Sequence, residues 1–427
     1  MKIAVIGAGL IGTTTAYLLR RRGHEVVVFD RQAGPGREAS FANGALITPG
    51  MPEPWNAPGS WRVLLGSIGR SDALLQLRLK ALPSLAGWGI RFLINSRVAA
   101  FERNTVRNLK LALYSLEVLQ SLRQETGVDY PHEARGTLKL FSDPQALDRA
   151  TAWVERLSHH GLTARKLSRS DTIQLEPALA PIAAKITGAI RYEKDETGDA
   201  YEFCIALARC ARDSGVEFRF SSEVSSIKAC GGKVALALTT REPIDADCYV
   251  IAACSYVPRL LRGIGVHLPV RPAKGYSVTF NRTPGEPALR TPVVDDVLHA
   301  AVTPIGGIVR VAGTAEFAGY DLTPSAARIE NLFRLIQKIL PQGYYDRASA
   351  RPWCGLRAMS ADGVPLIGPT GVPNLFVNTG HGHLGWTMTA GSAQLLTDLI
   401  CETSLRIDPT AYDPRRFGSP RGMAFAA

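Results

Sequence analysis

Apolar residues run unbroken through "KIAVIG" (2–7), which suits a strand buried on both faces. The period then changes. "LIGTTTAYLLRRRG" (10–23) reads as a helix stopped by Gly23, and "HEVVVFD" (24–30) as a second strand. Residues 31–60 have no period and are rich in Gly, Pro, Ser and Asn; a loop that long is functional or disordered. A helical region is expected over roughly 70–125, carried by "LKLALYSLEVLQSLRQETG". Strand patterns follow in "GTLKLF" (136–141), "GAIRYE" (188–193), "KGYSVTF" (274–280) and "GIVRVAGTAEF" (307–317). Among them, residues 199–224 read as helix then strand, and 247–261 as strand then helix. The chain closes with a strand in "NLFVNTG" (374–380) and a helix from Leu384. The βα pattern of the first residues is thus interrupted and resumed, which does not suit a plain NAD-dependent dehydrogenase.

The first turn carries the chemistry. Gly7-x-Gly9-x-x-Gly12 joins the first strand to the first helix. Gly7 permits the tight turn, Gly9 lets a pyrophosphate approach the backbone, and Gly12 lets helix and strand pack closely. The helix N-terminus offers free N–H groups and a partial positive charge to phosphates. Asp30, 18 residues after Gly12, stands where a carboxylate accepts from ribose hydroxyls, which disfavours a 2′-phosphate and so NADP. Strand, glycines, helix, strand and acid in that order indicate dinucleotide binding.

Composition narrows the class. At 427 residues the chain is too long for one compact core. No apolar run spans a bilayer, and the strand pattern starts at Lys2 with no room for a charged leader, so the expected location is cytoplasmic. The net charge of +11 leaves open peripheral contact with the inner membrane, with "DPRRFGSPRG" (413–422) as one basic cluster. Seven scattered cysteines without a C-x-x-C pair suit reduced thiols and not a zinc ribbon or iron–sulfur cluster. "NTGHGHLGWTM" (378–388) admits two readings, a His-x-His metal site or a glycine-rich cofactor turn at a helix N-terminus. The metal reading lacks further ligands, because His132, His159, His160, His267 and His299 have no supporting spacing. No metal is expected.

In combination, "VIGAGLIGTTTAY", "REASFANGALITPG", "DETGDAYEF", "RPAKGYSVTF", "RVAGTAEF", "WCGLRAMSADGVPLIG" and "NLFVNTGHGHLGWTM" resemble the FAD-dependent D-amino-acid oxidase superfamily, nearest its bacterial D-amino-acid dehydrogenase small-subunit branch. The resemblance covers essentially the whole chain. It implies an α/β fold with a discontinuous, Rossmann-type, glutathione-reductase-like FAD-binding domain (1–60, 195–268 and 350–427). An α+β substrate domain on an antiparallel sheet (61–194 and 269–349) would be inserted into it. FAD contacts are implied at Gly7, Gly9, Leu10, Ile11, Gly12, Asp30 and Arg31, and at Ser40, Asn43 and Gly44 in the loop. Further contacts are implied at Val224, Ala253, Cys254 and Gly355, and at His381, Gly382, His383, Leu384, Gly385, Trp386 and Thr387 around the isoalloxazine. Cys254 departs from the glycine usual in the family.

The implied reaction is oxidative deamination of a D-amino acid to a 2-oxo acid and ammonia, with hydride transfer to flavin N5 and electrons passed on to a quinone or other carrier. Arg357, in "GLR", would grip the substrate carboxylate; a guanidinium fork matches it bidentately. Tyr276 would lie over the substrate or pack in the domain interface. His383 would line the pocket, and Lys274 would face flavin or solvent. Alternatives are a secondary amine or imino acid (glycine, sarcosine, D-proline or D-hydroxyproline), a flavin held covalently by Cys354, and, more distantly, flavin-dependent tRNA modification. No nucleic-acid partner is expected, since no basic-aromatic stretch is visible.

Overall fold

The computed structural model describes residues 1–66, 75–230, 232–239, 243–284, 288–298, 300–340 and 345–418. Two sheets carry the molecule. The first has six strands in the order Glu217–Arg219, Glu25–Phe29, Lys2–Ile6, Cys248–Ile251, Leu375–Thr379 and Leu366–Pro369. Every neighbouring pair is parallel except the last. The unbroken apolar run of Lys2–Ile6 now has its cause. Ile3 and Val5 enter one core, shared with the helices Leu10–Arg21, Ala200–Asp213 and Thr389–Ile400. Ala4 and Ile6 enter another, against the small sheet Val224–Cys230, Lys233–Thr239 and Pro243–Ile244. A strand covered on both sides has no polar face to show. Strand order reverses direction between Lys2–Ile6 and Cys248–Ile251, and open parallel sheets bind ligands beyond the carboxyl ends of such strands.

The second sheet has nine strands. Its path is Tyr345–Ser360, Val270–Arg282, Ile308–Phe317, Ala300–Ile305, Val293–Asp295, Thr137–Phe141, Gly188–Tyr192 and Ala164–Ser168, with Leu75–Leu77 joined to Ile308–Phe317. It is antiparallel except where Val293–Asp295 meets Thr137–Phe141 and where Leu75–Leu77 joins. Alternation sorts its two faces. Val278, Val311 and Val302 lie on the face covered by the helix Ala326–Ile339. Ser277, Ala312 and Ala301, one residue out of phase, border the cavity described below.

Two elements cross the division expected from the sequence. The helix Val98–Thr126 falls in the segment expected to build the substrate domain, yet Leu111, Ala112, Leu116, Leu119 and Leu122 join the core of the first sheet. Its 29 residues are long enough to reach from one core to the other. The strand Tyr345–Ser360 was divided at residue 350, yet it pairs with Val270–Arg282 along most of its length. Neither an amphipathic stripe nor an apolar strand states which core it will enter. The segment from 67 to 74, at the start of the expected helical region, lies outside the described residues.

Candidate active site

A cavity of about 1610 Å³ opens at the carboxyl ends of the parallel strands and runs under the second sheet. At its nucleotide end Gly7 and Gly12 stand where a side chain would collide with backbone. Gly7 has φ +108°, and a Cβ there would come 2.7 Å from the Ala252 carbonyl oxygen. A Cβ on Gly12 would sit 1.8 Å from the Gly7 oxygen, so only glycine lets the helix leave the strand here. Gly9, extended, starts the helix, and a Cβ there would meet only Ser40 Oγ. Ser40 Oγ also accepts from the Leu10 N–H at 3.2 Å. Ile11 lines the same turn, whereas Gly12 packs behind it and does not reach the cavity.

Asp30 stands at the end of the second strand. Its carboxylate accepts from the Ala8 N–H at 2.6 Å and the Gln32 N–H at 2.7 Å, bracing the glycine turn. Burial raises its pKa, and these bonds offset that only in part. Arg31 lies 4.1 Å over the Tyr256 ring and pairs with Glu38 at 2.5 Å. Glu38 also lines the cavity; nothing periodic marks it in the loop. Asn43 and Gly44 are fixed through their carbonyls, by Arg310 Nη1 at 3.1 Å and Thr303 Oγ1 at 2.9 Å. Arg310 is buried and also reaches Asp199, the cap of the helix Ala200–Asp213, at 3.3 Å. Asp199, within "DETGDAYEF", therefore links a helix packed on the first sheet to a strand of the second. Val224 and Ala253 line the nucleotide end. Cys254 adopts φ +48°, a left-handed conformation that explains why glycine is usual there. Its thiol donates to the Leu356 oxygen at 3.4 Å, and burial pushes its pKa up to about 11.

The other end is built around Arg357. Its guanidinium crosses Gly275, where a Cβ would come 2.6 Å from Cζ, and lies 5.4 Å from the Trp55 ring. It has no hydrogen-bond or ion-pair partner among the described residues. Burial lowers its pKa to about 10, which leaves it charged at neutral pH. Trp55 also stacks on His383, ring centres 5.6 Å apart. His383 is open to the cavity yet deep in the molecule; burial and the Arg357 charge lower its pKa to about 3. His381 contacts Ser392 Oγ at 2.9 Å, and burial lowers its pKa likewise to about 3. Both imidazoles are neutral at physiological pH. Gly355, Gly382, Gly385 and Trp386 line the cavity; Leu384 and Thr387 do not. Leu384 belongs to the core, and Thr387 Oγ1 accepts from the Thr48 N–H at 3.0 Å. The Trp386 indole donates to the Gly198 oxygen at 2.8 Å.

Tyr276 borders the cavity, but its side chain belongs to the opposite sheet face. Its ring packs with Val278, Phe280 and Leu332, and its hydroxyl donates to Glu316 Oε2 at 2.7 Å. Strand alternation forces this: with Gly275 on the Arg357 side, Tyr276 must lie on the other. Lys274 faces neither flavin nor solvent. It is buried, with Nζ 3.4 Å from Glu316 and 3.3 Å from Asp321. Cys354, paired in register with Tyr276, does not line the cavity; its thiol donates to the Leu322 oxygen at 3.1 Å.

Three observations bear on whether the residues fit FAD. The glycine cradle admits a pyrophosphate at a helix N-terminus. The cavity exceeds the 300–1,000 Å³ or so of ordinary small-ligand sites. Asn378 and Thr314 line it with buried polar atoms that have no partner among the described residues. The residues fit. Among the described residues no cluster of three or more His, Cys, Asp or Glu could hold a metal ion, and His299 lies outside them.

A glycine-cradled crevice at a strand-order reversal, continuous with a pocket around a deep cation, defines a flavin-dependent oxidoreductase of the two-sheet kind. The chain belongs to the FAD dependent oxidoreductase family (DAO), which it matches over residues 2–399. It is 40% identical over 421 residues to a D-amino acid dehydrogenase of Allorhizobium ampelinum, covering 99% of this chain and 100% of that protein. It is 41% identical over 402 residues to a D-amino acid dehydrogenase of Paramagnetospirillum magneticum, covering 94% and 95%. In fold it is similar to the L-proline dehydrogenase from P. horikoshii (TM-score 0.77, 20% identity, 98% of this chain and 99% of that one). It is also similar to the glycine oxidase from Geobacillus kaustophilus (TM-score 0.74, 23% identity, 97% and 98%). No described helix is long and apolar enough to cross a membrane.

Proposed function

We propose that this protein is a D-amino-acid dehydrogenase, oxidising D-amino acids to imino acids that hydrolyse to 2-oxo acids and ammonia. The observation that carries the reading is Arg357, a charged guanidinium on the cavity wall with no hydrogen-bond or ion-pair partner among the described residues. Leaving such a group unpaired at depth is costly unless an anion completes it. A substrate carboxylate does so bidentately and fixes the α-carbon in one place. The relatives named D-amino acid dehydrogenase, about 40% identical over nearly the whole chain, support the same activity.

FAD, when bound, supplies the two-electron acceptor. The chain's own residues orient and screen. Gly275 gives the guanidinium its seat, and Trp55 backs both Arg357 and His383. His383 is neutral, so it adds no second positive charge beside a substrate amine and can accept a hydrogen bond from it. Catalysis on this reading is orientation and charge placement and needs no side-chain base. We assign the onward electrons to a quinone or another carrier.

The test is anaerobic mixing of the FAD-loaded protein with D- and L-amino acids, glycine, sarcosine and D-proline. D-amino acids should bleach the visible flavin band while their L-enantiomers leave it. Bleaching only by glycine, sarcosine or D-proline would move the assignment to secondary amines. No bleaching by any of them would sink it. Turnover with a soluble quinone analogue, without matching oxygen uptake, is expected for a dehydrogenase.

A further inference from the structure

Strand alternation breaks beside Arg357. Gly275 pairs with Ala315, yet the next residue, Tyr276, pairs with Gly313. Thr314 is left over, a bulge in the strand Ile308–Phe317. Val311 packs on the covered face of the sheet, and plain alternation from it would turn Glu316 to the cavity. The extra residue returns Glu316 to the covered face, where it meets Tyr276 and Lys274. Thr314 and Ala315 are left together on the cavity wall.

Thr314 is held in an unfavourable conformation. Its φ is +53°, in the left-handed region where a β-branched residue is an outlier. Strain of this kind persists where the surrounding structure enforces it, and it gathers at ligand sites. The side chain finds nothing within the protein to offset it. Only 6% of the residue is exposed, and Oγ1 has no hydrogen-bond partner among the described residues. A buried hydroxyl left unpaired is costly, and a bound molecule can supply the missing partner.

Its position identifies that molecule. Gly275 pairs with Ala315 on one side and with Gly355 on the other, and the Arg357 guanidinium lies over it. Thr314 therefore stands one strand spacing, ~4.8 Å, from the seat of the guanidinium. Toward the nucleotide end, Ala312 already faces the loop, where a Cβ on Gly44 would come 3.6 Å from its side chain. An amino acid whose carboxylate sits on Arg357 carries its nitrogen two bonds from the carboxylate carbon, within reach of the Thr314 hydroxyl.

We propose that Thr314 positions the substrate, its hydroxyl accepting a hydrogen bond from the α-amino group while Arg357 holds the carboxylate. The assignment rests on the amino-acid reading given above. A neutral amine has two N–H groups. Thr314 Oγ1 takes one and the neutral His383 can take the other, which leaves the nitrogen lone pair free toward the α-carbon. The hydroxyl orients the amine and takes no proton from it.

The experiment is anaerobic stopped-flow reduction of the FAD-loaded wild type, Thr314→Val and Thr314→Ser by D-alanine and other D-amino acids. Alongside it, propionate, which is D-alanine without its amine, is titrated as an inhibitor of that reduction. Valine keeps the branched shape and loses only the hydroxyl. It should lower the second-order rate of flavin reduction about tenfold or more. Its affinity for propionate should stay within about twofold of wild type, whereas Arg357→Ala should lose both. Serine should restore most of the rate. Thr314→Gly suits the left-handed backbone and should be slow like valine, so the test does not depend on how valine folds. A valine or glycine variant as fast as wild type overturns the proposal. So does a valine variant that loses propionate in step with the amino acid, or a serine variant as slow as valine. An altered FAD content or resting flavin spectrum in the valine variant overturns it too, since the hydroxyl would then serve the cofactor. If glycine or sarcosine but no D-amino acid bleaches the wild type, the proposed activity fails, and the same variants test the Thr314 contact on that amine. Wild-type protein that no amine bleaches refutes both.

Discussion

At its nucleotide end the cavity presents backbone, and its polar side chains are already engaged. Asp30 braces the turn, Arg31 is paired with Glu38, and Ser40 caps the first helix. At its other end the cavity presents side chains with nothing to hold. Among the described residues Arg357 has no hydrogen-bond or ion-pair partner, and His383 has its stack on Trp55 alone. A resident group can be gripped by fixed N–H donors that never need to release it. A turning-over substrate needs charge that is idle until it arrives. The contrast implies that damage to the first end should empty the protein of flavin, and damage to the second should spare flavin and stop turnover.

The largest effect belongs to Gly12→Val. Its branched side chain would occupy the space of the Gly7 carbonyl, 1.8 Å from the new Cβ, and backbone cannot yield as a side-chain tip can. The purified variant should be colourless or insoluble. A yellow Gly12→Val protein with normal flavin content would break the contrast at its nucleotide end.

Next comes Arg357→Ala. Removing a charged partner from a carboxylate costs about 3 kcal/mol, roughly a hundredfold in kcat/KM. FAD content should be unchanged, because Arg357 supports no part of the glycine cradle. Stopped-flow bleaching against flavin content separates the two. Loss of flavin together with rate would mean that Arg357 belongs to the cofactor site.

How much of this was readable in the chain follows from what each residue depends on. Gly7, Gly9, Gly12 and Asp30 lie within one local βαβ unit, so their spacing alone brings them to one turn. Trp55 and Glu38 sit in the Gly- and Pro-rich loop, where no period marks a functional side chain, and neither was singled out. Tyr276 was named without its face, because strand alternation gives two sides but not which side is wet. Asn378 lay in the overlap of the strand 374–380 and the glycine-rich turn 378–388, and was not singled out as a contact. The helix Val98–Thr126 advertised a stripe but not the core that it fills.

A smaller effect concerns pH. His381 and His383 have pKa values lowered from 6.5 to about 3, chiefly by burial. The unfolded chain therefore binds protons that the folded protein refuses. Stability is whole above about pH 6.5 and falls as pH drops toward about 3, by up to about 1.4 kcal/mol per unit for the buried His381. Urea midpoints measured between about pH 8 and pH 5 should decline on the acid side, and less steeply in His381→Gln. Activity over the same range should show no inflection that His383→Gln removes. An inflection lost in that variant would make His383 a titrating participant.

The smallest effect sharpens the comparison most. Tyr276→Phe removes one hydrogen bond to Glu316 and leaves the ring in its apolar cluster. Glu316 keeps Arg78 and Lys274, which together with Tyr276 hold its pKa down against burial. The loss should cost about 1 kcal/mol of stability, read as a small drop in the urea midpoint. The rate of flavin reduction should change less than about twofold, since the hydroxyl stands on the sheet face away from Arg357. A large fall in rate at constant stability would mean that the strand turns Tyr276 toward the substrate during turnover. The division between an engaged scaffold and an idle, substrate-ready wall would then run through this strand and not between its two faces.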